Sequence, residues 1–374
     1  MSTPRVPARA ETVGSLLRPA ELVRAAQEAD AVSAHPERLS EMTDEAVLAA
    51  IRMQEEVGLD VVTDGEMRRI NWAQTPRFLD CFEVREGGPS LNWRGGVGSA
   101  PPAVPAYPTV VRRVSEANRL ANMADEYAFL ARHARTRTKY SMAAPSYHRR
   151  YWSDRHSTDA YESCEEFLTE IRDYQREVVK ELVALGCDYI QLDAPNYGSL
   201  CDPDTRARME REGRDPDAEL VFDAELDNSL FEGTQGVTRA LHICRGNGPG
   251  GRWHSNGGYG AISSKLFSRL DFDALLLEYD SDRAGGFEPL ADVRPGTVAV
   301  LGLLTTKSGE LEDESVLETR IAEAAGVKPL AELALSTQCG FASVASGNPL
   351  TPSQQQAKLE LVSRIAHRTW AGAS

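Results

Sequence analysis

The sequence lacks the features that mark membrane, secreted and nucleic-acid-binding proteins. Its longest apolar run, Val298 to Leu304, is far shorter than the roughly 20 residues that a membrane-spanning helix needs. Its first residues contain no apolar core of a signal peptide, so we expect a cytoplasmic protein. There is no basic stripe, and 41 Lys and Arg against 56 Asp and Glu give a net charge of −15. Because nucleic acids are themselves negatively charged, we do not expect a nucleic-acid partner.

Cysteine is also scarce, with six residues in a chain of 374. Their spacing matches no disulfide framework, and a chain of this length does not need one. We expect Cys81, Cys164 and Cys187 to be ordinary buried thiols, and Cys201, in a loop after a predicted strand, is left open. Cys244 and Cys339 remain as candidates for chemistry, because polar residues accompany both.

A pattern of helix, glycine, short apolar strand and polar loop recurs along the chain. It predicts amphipathic helices over 43–57 and 164–185, which end at Gly58 and Gly186. Further helices are predicted over about 261–270, 313–325 and 352–370. The pattern also predicts eight short strands, over 10–14, 60–63, 139–142, 189–193, 240–244, 274–278, 297–304 and 333–337.

Strands that alternate with helices predict an α/β protein with a parallel sheet, and eight such units favour a (β/α)8 TIM barrel. A barrel needs about 250 residues. We assign the excess to a Pro- and Gly-rich insertion, Glu86 to Pro108, and to an N-terminal extension. No linker is visible, so residues 1–374 are predicted to form a single domain. The alternative is an open doubly wound sheet, but no G-x-G-x-x-G follows the first strand.

Three predicted strands end in residues that bind metals. His242 and Cys244 are two positions apart, so they point to the same side of a strand. Glu278 ends the next strand, and Cys339 follows the last one. Each has an ordinary alternative, as a core histidine, a buried thiol or a salt-bridge carboxylate. Because the carboxyl ends of barrel strands surround one mouth, the four together favour a zinc site.

Other strand ends carry polar groups. Gly14 and Ser15 offer backbone N–H groups and a hydroxyl to an anion, or form a helix cap instead. Glu66 is either a carboxylate over the mouth or a solvated loop acid. Asp193 ends an apolar strand, which favours a role in the site.

These motifs together resemble the catalytic barrel of the cobalamin-independent methionine synthases. The similarity extends over nearly the whole chain in the same order. Two segments, 276–281 and 335–343, are similar to the short stand-alone branch that includes the epoxyalkane:coenzyme M transferases. The residues that carry the resemblance are Thr12 to Ser15, Thr63 to Glu66, Ile190 to Asp193, His242 to Cys244, Glu278 and Gln338 to Gly340.

The resemblance implies a role for each of these positions. Zinc is expected on His242, Cys244, Glu278 and Cys339. Gly14 and Ser15 are expected to bind the carboxylate of a thiol substrate such as homocysteine, and Glu66 and Asp193 its amine. The implied reaction transfers a methyl or small alkyl group to the thiol, with methyltetrahydrofolate and homocysteine as the leading pair, in methionine biosynthesis. The expected partners are therefore small molecules, and a homo-oligomer is compatible with the sequence.

Two departures from the family pattern concern acid groups. The family's Asp-Glu-Pro is Asp193-Ala194-Pro195 here, so one carboxylate is missing. The family's loop histidine, a proton donor, is also missing, because this loop reads Leu304-Thr-Thr-Lys307-Ser. A leaving nitrogen or oxygen needs a proton, and we expect Lys307 or His148 to supply it.

Two other functions stay open. One is the addition of a coenzyme M-like thiol to an epoxide or another alkyl electrophile. The other is a non-catalytic protein that binds zinc or thiols, which the missing histidine motivates.

Overall fold

A computed structural model describes residues 7–30, 36–87, 93–98 and 106–371 of the chain. Its strands are β1 (Ala10–Glu11), β2 (Val61–Val62), β3 (Phe82–Glu86), β4 (Ala106–Val110), β5 (Arg137–Thr138), β6 (Tyr140–Ala143), β7 (Tyr189–Asp193), β8 (Thr238–Ile243), β9 (Ala274–Glu278), β10 (Val298–Leu304) and β11 (Leu333–Thr337). Its α-helices are α1 (Ala20–Asp30), α2 (Pro36–Glu56), α3 (Met123–His133), α4 (Cys164–Ala184), α5 (Pro195–Ser199), α6 (Pro203–Arg211), α7 (Pro216–Ser229), α8 (Ser263–Leu266), α9 (Glu314–Ala325) and α10 (Pro352–Trp370).

The predicted TIM barrel is confirmed. Seven parallel strands form one curled sheet in the order β1-β11-β10-β9-β8-β7-β6. The remaining gap is filled by β2, which pairs with β5, and β5 leads directly into β6. On the other side of β2, the Asp60 N–H donates to the Ala10 carbonyl at 2.9 Å. All eight predicted strands therefore exist and lie in chain order around the ring.

The helix predictions are confirmed in four of five places. Gly58 and Gly186 follow α2 and α4 with φ of +78° and +89°, the left-handed conformation that ends a helix at low cost for glycine. The predicted helix over 261–270 is wrong in extent. Ile262 has φ −126°, outside the helical region, so only a 3-10 turn and the single turn of α8 form there.

The predicted insertion belongs to an antiparallel hairpin of β3 and β4, of which residues 88–92 and 99–105 lie outside the described residues. The hairpin packs against a 3-10 segment, Pro145–Tyr151, where Tyr107 stacks on Tyr151 with ring centroids 5.5 Å apart. Sequence analysis did not predict this hairpin, nor helices α5 to α7 after β7. These additions build walls around the barrel mouth.

The first and last strands pair with each other, Ala10 opposite Leu335, so the two ends of the chain meet in one sheet. The single-domain organisation of residues 1–374 stays a prediction, which this pairing supports. Among the described residues, no helix is long and apolar enough to cross a membrane.

A buried ion pair lies inside the ring of strands. The Lys139 ammonium donates to Glu11 Oε2 and to the Thr12 carbonyl, both at 2.6 Å, and to Gln191 Oε1 at 2.8 Å. The Tyr189 hydroxyl donates to the other Glu11 oxygen at 2.9 Å. Both charged side chains are almost fully excluded from solvent. Because each group satisfies the other, the pair links β1 to β6 and β7 across the barrel.

We expect Lys139→Met to destabilise the fold by about 3–5 kcal/mol, since it leaves the buried Glu11 carboxylate without its cation. The free energy of unfolding from urea titrations measures this. The double variant Lys139→Met/Glu11→Gln should recover much of the loss, because the stranded charge is gone. Lys180→Met, which removes an exposed lysine paired with Glu177, should change the free energy little. A Lys139→Met protein as stable as the wild type would contradict the role given to this pair.

Candidate active site

A cluster of His242, Cys244 and Cys339 lies at the mouth of the barrel. His242 is the second-last residue of strand β8, Cys244 directly follows β8, and Cys339 follows β11. All three side chains are buried, and their donor atoms lie within 4.8 Å of one another. The structure thus brings together three of the four predicted zinc ligands.

The cluster has the chemistry of a zinc site. His242 Nδ1 lies 3.2 Å from the Leu276 carbonyl, a contact that favours a proton on Nδ1. Its Nε2 is buried and has no hydrogen-bond partner among the described residues. A buried ring nitrogen with a free lone pair beside two thiols fits zinc, which takes nitrogen and sulfur ligands. A hydrogen bond from Cys244 holds the pKa of Cys339 well below its usual range, and the same contact raises the pKa of Cys244.

Glu278, the fourth predicted ligand, ends β9 and is fully buried, but it is not part of this cluster. Its Oε2 accepts the Arg245 backbone N–H at 2.7 Å, and its Oε1 contacts the Arg283 guanidinium. Burial alone would raise the pKa of Glu278, but the charges of Lys307, Arg245 and Arg283 lower it to about 2. Glu278 is therefore an anion next to the cluster, and its role as a ligand stays a prediction.

The cluster opens into a cavity of about 870 Å³, which Ser15, Glu66 and Asp193 also line. These are three of the four residues predicted to bind substrate. The fourth, Gly14, packs behind Glu66, where a Cβ would lie 3.0 Å from Glu66 Oε1. Ser15 lies against the loop after β11. The approach is so close that a Cβ on Gly340 would lie only 1.9 Å from the Ser15 Oγ. The predicted substrate groups and the thiols therefore face one space.

Two of the carboxylates that line this cavity, Glu66 and Asp193, are deeply buried next to the cluster. Glu66 adopts φ +55°, rare for a residue with a side chain, and its N–H donates to Asp64 Oδ1 at 2.8 Å. Its Oε1 accepts from Ser141 at 2.8 Å and lies 3.3 Å from the buried Arg69 guanidinium, while Oε2 is buried without a partner among the described residues. Burial raises the pKa of Glu66 and raises that of Asp193 to about 7. A cation in the cavity would favour the ionised form of both.

The two predicted proton donors have different positions. Lys307 lies close enough to Cys339 and Glu278 for its charge to lower both pKa values, and its buried Nζ has no hydrogen-bond partner among the described residues. It lies near the cluster but does not belong to the described lining of the cavity.

His148 is fully buried outside that lining. Its Nδ1 contacts the Ala144 carbonyl at 2.9 Å and its Nε2 contacts Thr75 Oγ1 at 2.8 Å. Burial lowers the pKa of His148 to about 4. Both ring nitrogens are therefore engaged in contacts between two segments, and the role of His148 as an acid stays a prediction.

The structure places a different histidine, His254, on the cavity wall. It comes from the loop after β8, stacks edge-on against Trp93 at 5.7 Å, and crosses so close to Gly246 that a Cβ there would lie 2.2 Å from its ring. Burial lowers the pKa of His254 to about 4. Sequence analysis missed it, because His254 lies within a loop rather than at a strand end, and Lys307 and His148 were the candidate donors. The glycines around it, in Gly250-Gly251-Arg-Trp-His254, were the available signal.

Known proteins share this architecture and sequence. The family described as cobalamin-independent synthase, catalytic domain, matches residues 9–349. The uncharacterized proteins YxjH and YxjG of Bacillus subtilis (strain 168) are each 33% identical to the chain, over 98% and 97% of it and 96% and 95% of their own lengths.

Solved structures agree with this result. A protein of Listeria monocytogenes assigned as a vitamin B12-independent methionine synthase superposes with a TM-score of 0.72 and 25% identity, covering 98% of this chain and 99% of its own. A B12-independent methionine synthase from Shewanella sp. W3-18-1, solved with selenomethionine, has the same fold, with a TM-score of 0.68, 20% identity and coverage of 97% and 98%. The chain therefore belongs to the cobalamin-independent methionine synthase family and spans its catalytic domain.

Proposed function

We propose that this protein transfers a methyl or small alkyl group to a thiol in a zinc-dependent reaction, with methyltetrahydrofolate and homocysteine as the leading pair. One observation carries the proposal: the His242, Cys244 and Cys339 cluster opens into the cavity that Ser15, Glu66 and Asp193 line. The three clustered residues would hold the zinc, with Glu278 as a fourth ligand. When bound, zinc would keep the substrate's thiol deprotonated and therefore nucleophilic at neutral pH.

The cavity residues orient the thiol substrate in this proposal. Glu66 and Asp193 receive the ammonium group of an amino-acid thiol, whose charge favours their ionised forms. Ser15 donates its hydroxyl to the carboxylate. Because both acids are buried, the ion pairs they form with substrate are little screened by water. The sulfur is thereby directed toward the cluster.

Transfer then requires a proton at the leaving atom. The sulfur forms a bond to the alkyl carbon, and the bond from that carbon to the donor's nitrogen or oxygen breaks with its electron pair on the leaving atom. That atom must be protonated. The group that supplies the proton must reach the leaving atom from the wall of the cavity. His254 lines the cavity, whereas Lys307 does not belong to its described lining. We therefore give proton delivery to His254, with Lys307 as the alternative. Because burial lowers the pKa of His254 to about 4, the protonated form is a minor species at neutral pH and a strong acid. We assign to Lys307 the stabilisation of negative charge on Cys339 and Glu278.

The proposed setting follows from the reaction. Both partners are small molecules, the protein acts in the cytoplasm, and its product places it in methionine biosynthesis. Addition of a coenzyme M-like thiol to an epoxide remains the alternative, since the same cluster would activate that thiol. Mass spectrometry of the products, with a panel of thiols and alkyl donors, separates the two, and no alkyl transfer to any thiol would favour a non-catalytic zinc- or thiol-binding protein.

Purified protein should contain about one zinc per chain, as four-ligand sites do. Cys339→Ala should lose most of it, because one of the two thiolate ligands is gone. Cys201→Ala is the control, since Cys201 is also a buried free thiol but lies outside the cluster. Atomic absorption on both variants measures the metal. Full zinc occupancy in Cys339→Ala would remove this residue from the site.

Replacement of Asp193 by Asn should lower kcat/KM for thiols that carry an amine by about 10- to 100-fold, the value of a charge-assisted hydrogen bond. Thiols without an amine should be affected much less, because they make no contact that depends on this charge. The ratio of kcat/KM values for homocysteine and for an amine-free thiol of the same length measures the difference. Equal losses for both thiols would show that Asp193 has a structural role.

Comparison of two alkyl donors identifies the acid. His254→Gln should slow a donor whose leaving atom is nitrogen or oxygen by about 10²–10⁴-fold and spare a sulfonium donor, which leaves without a proton. Lys307→Met should slow both donors alike if its charge acts on the cluster. The kcat values of the two variants with each donor measure these effects. The reverse pattern, with Lys307→Met selective for the first donor, would assign the proton to Lys307.

A further inference from the structure

Beyond the thiol cluster, the wall of the cavity carries aromatic side chains, arginines and five carboxylates, Asp154, Glu165, Glu212, Glu219 and Asp223. Its aromatic lining consists of Trp72, Trp93, Tyr107, Tyr147 and Trp152, and its arginines are Arg149, Arg150, Arg208 and Arg214. The roles proposed above use none of them. Two adjacent arginines in this wall differ sharply in how their charges are compensated.

Arg149 is paired with carboxylates, although its Nε, like that of Arg150, makes no hydrogen bond with a described residue. Its guanidinium donates to Glu165 and to Asp223, each at 2.8 Å, and lies 3.6 Å from Glu219. Three carboxylates around one cation leave no positive charge available to a ligand. Arg149 is therefore explained by the protein itself.

Arg150 has no such partner. In the described parts of the chain, no carboxylate lies within ion-pair distance of it, and its buried Nε makes no hydrogen bond. The hairpin residues 88–92 and 99–105, which the structure does not describe, contain neither Asp nor Glu. Its guanidinium instead lies between two rings, 4.8 Å from the centroid of Tyr107 and 4.8 Å from that of Tyr147. An unpaired cation has thus been fixed on the cavity wall.

The two tyrosines explain how this cation can be held without a counter-ion. A guanidinium over an aromatic ring is attracted through its flat face, which leaves the N–H groups at its edge free. Those N–H groups form the planar fork that binds carboxylates and sulfonates through two parallel hydrogen bonds. The stacking also limits the rotation of a long side chain, so less entropy is lost when a ligand binds.

We propose that Arg150 is the binding site for an oxyanion, a carboxylate or sulfonate, on a substrate that occupies this cavity. The anion has two available sources. It is carried either by the alkyl donor, which enters through the aromatic part of the cavity, or by the acceptor thiol. The proposal rests on the proposed function only in treating the cavity as the substrate site, and binding itself can be measured without any turnover.

Benzoate and benzamide are suitable probes, because they share a flat ring and differ in charge. By ligand-observed NMR, the wild-type protein should bind benzoate about tenfold or more tightly than benzamide. Arg150→Met should abolish this preference, and Arg150→Lys should keep only part of it, since a lysine has no fork. Arg77→Met is the matched control: it removes the same charge from an exposed arginine outside the cavity. Circular dichroism and the melting temperature verify that each variant folds.

An equal affinity of the wild type for both probes, or a benzoate preference that survives in Arg150→Met, would overturn the proposal. A second measurement identifies the source of the anion with an active donor and thiol. If the donor carries it, Arg150→Met raises KM for the donor at least tenfold and leaves KM for the thiol nearly unchanged. If the thiol carries it, the two effects are exchanged. Unchanged KM values for both substrates would again refute the assignment. If Arg150→Met loses benzoate binding but the wild-type protein shows no transferase activity, only the proposed function is contradicted.

Discussion

Closure of a parallel barrel is the constraint on which the candidate site depends. Parallel strands all point the same way, so their carboxyl ends surround one opening. The ends of β8 and β11 thereby bring His242 and Cys244 close to Cys339, a residue far away in the sequence. Closure itself depends on the short strand β2, and on the Lys139–Glu11 pair inside the ring. Loss of that closure would separate the ligands even if every strand survived.

The distribution of charge separates scaffold from site. Inside the barrel, the buried Lys139 and Glu11 satisfy each other. At the mouth, Glu278 is surrounded by cations that lower its pKa to about 2, whereas burial raises the pKa of Asp193 to about 7. Farther out, Arg150 is a cation without a carboxylate. A charge that the fold pairs completely has a structural explanation, whereas Arg150, which has no carboxylate partner among the described residues, lies on the wall of the cavity.

The chain keeps the family's thiol cluster and changes the groups around it. Ala194 replaces a carboxylate, and the loop after β10 carries Lys307 in place of a histidine. The structure offers a compensation for the second change, because His254 reaches the cavity from the loop after β8. This pattern agrees with the general rule for barrel enzymes, in which loops vary the chemistry that a fixed ring of strands supports.

The strands and most of the site were predictable from sequence, because they depend on local patterns. Alternation of apolar strands and amphipathic helices predicted all eight barrel strands, and the end-of-strand positions of His242, Cys244 and Cys339 predicted their convergence. The partners of a side chain were not predictable in this way, because loops from distant parts of the chain supply them. The contacts of Glu278 with Arg245 and Arg283, and the position of Lys307 outside the described lining of the cavity, had no signal in the sequence. His254 and Arg150 carried no strand-end signal, and only the closing of the loops and the hairpin over the mouth placed them on the cavity wall.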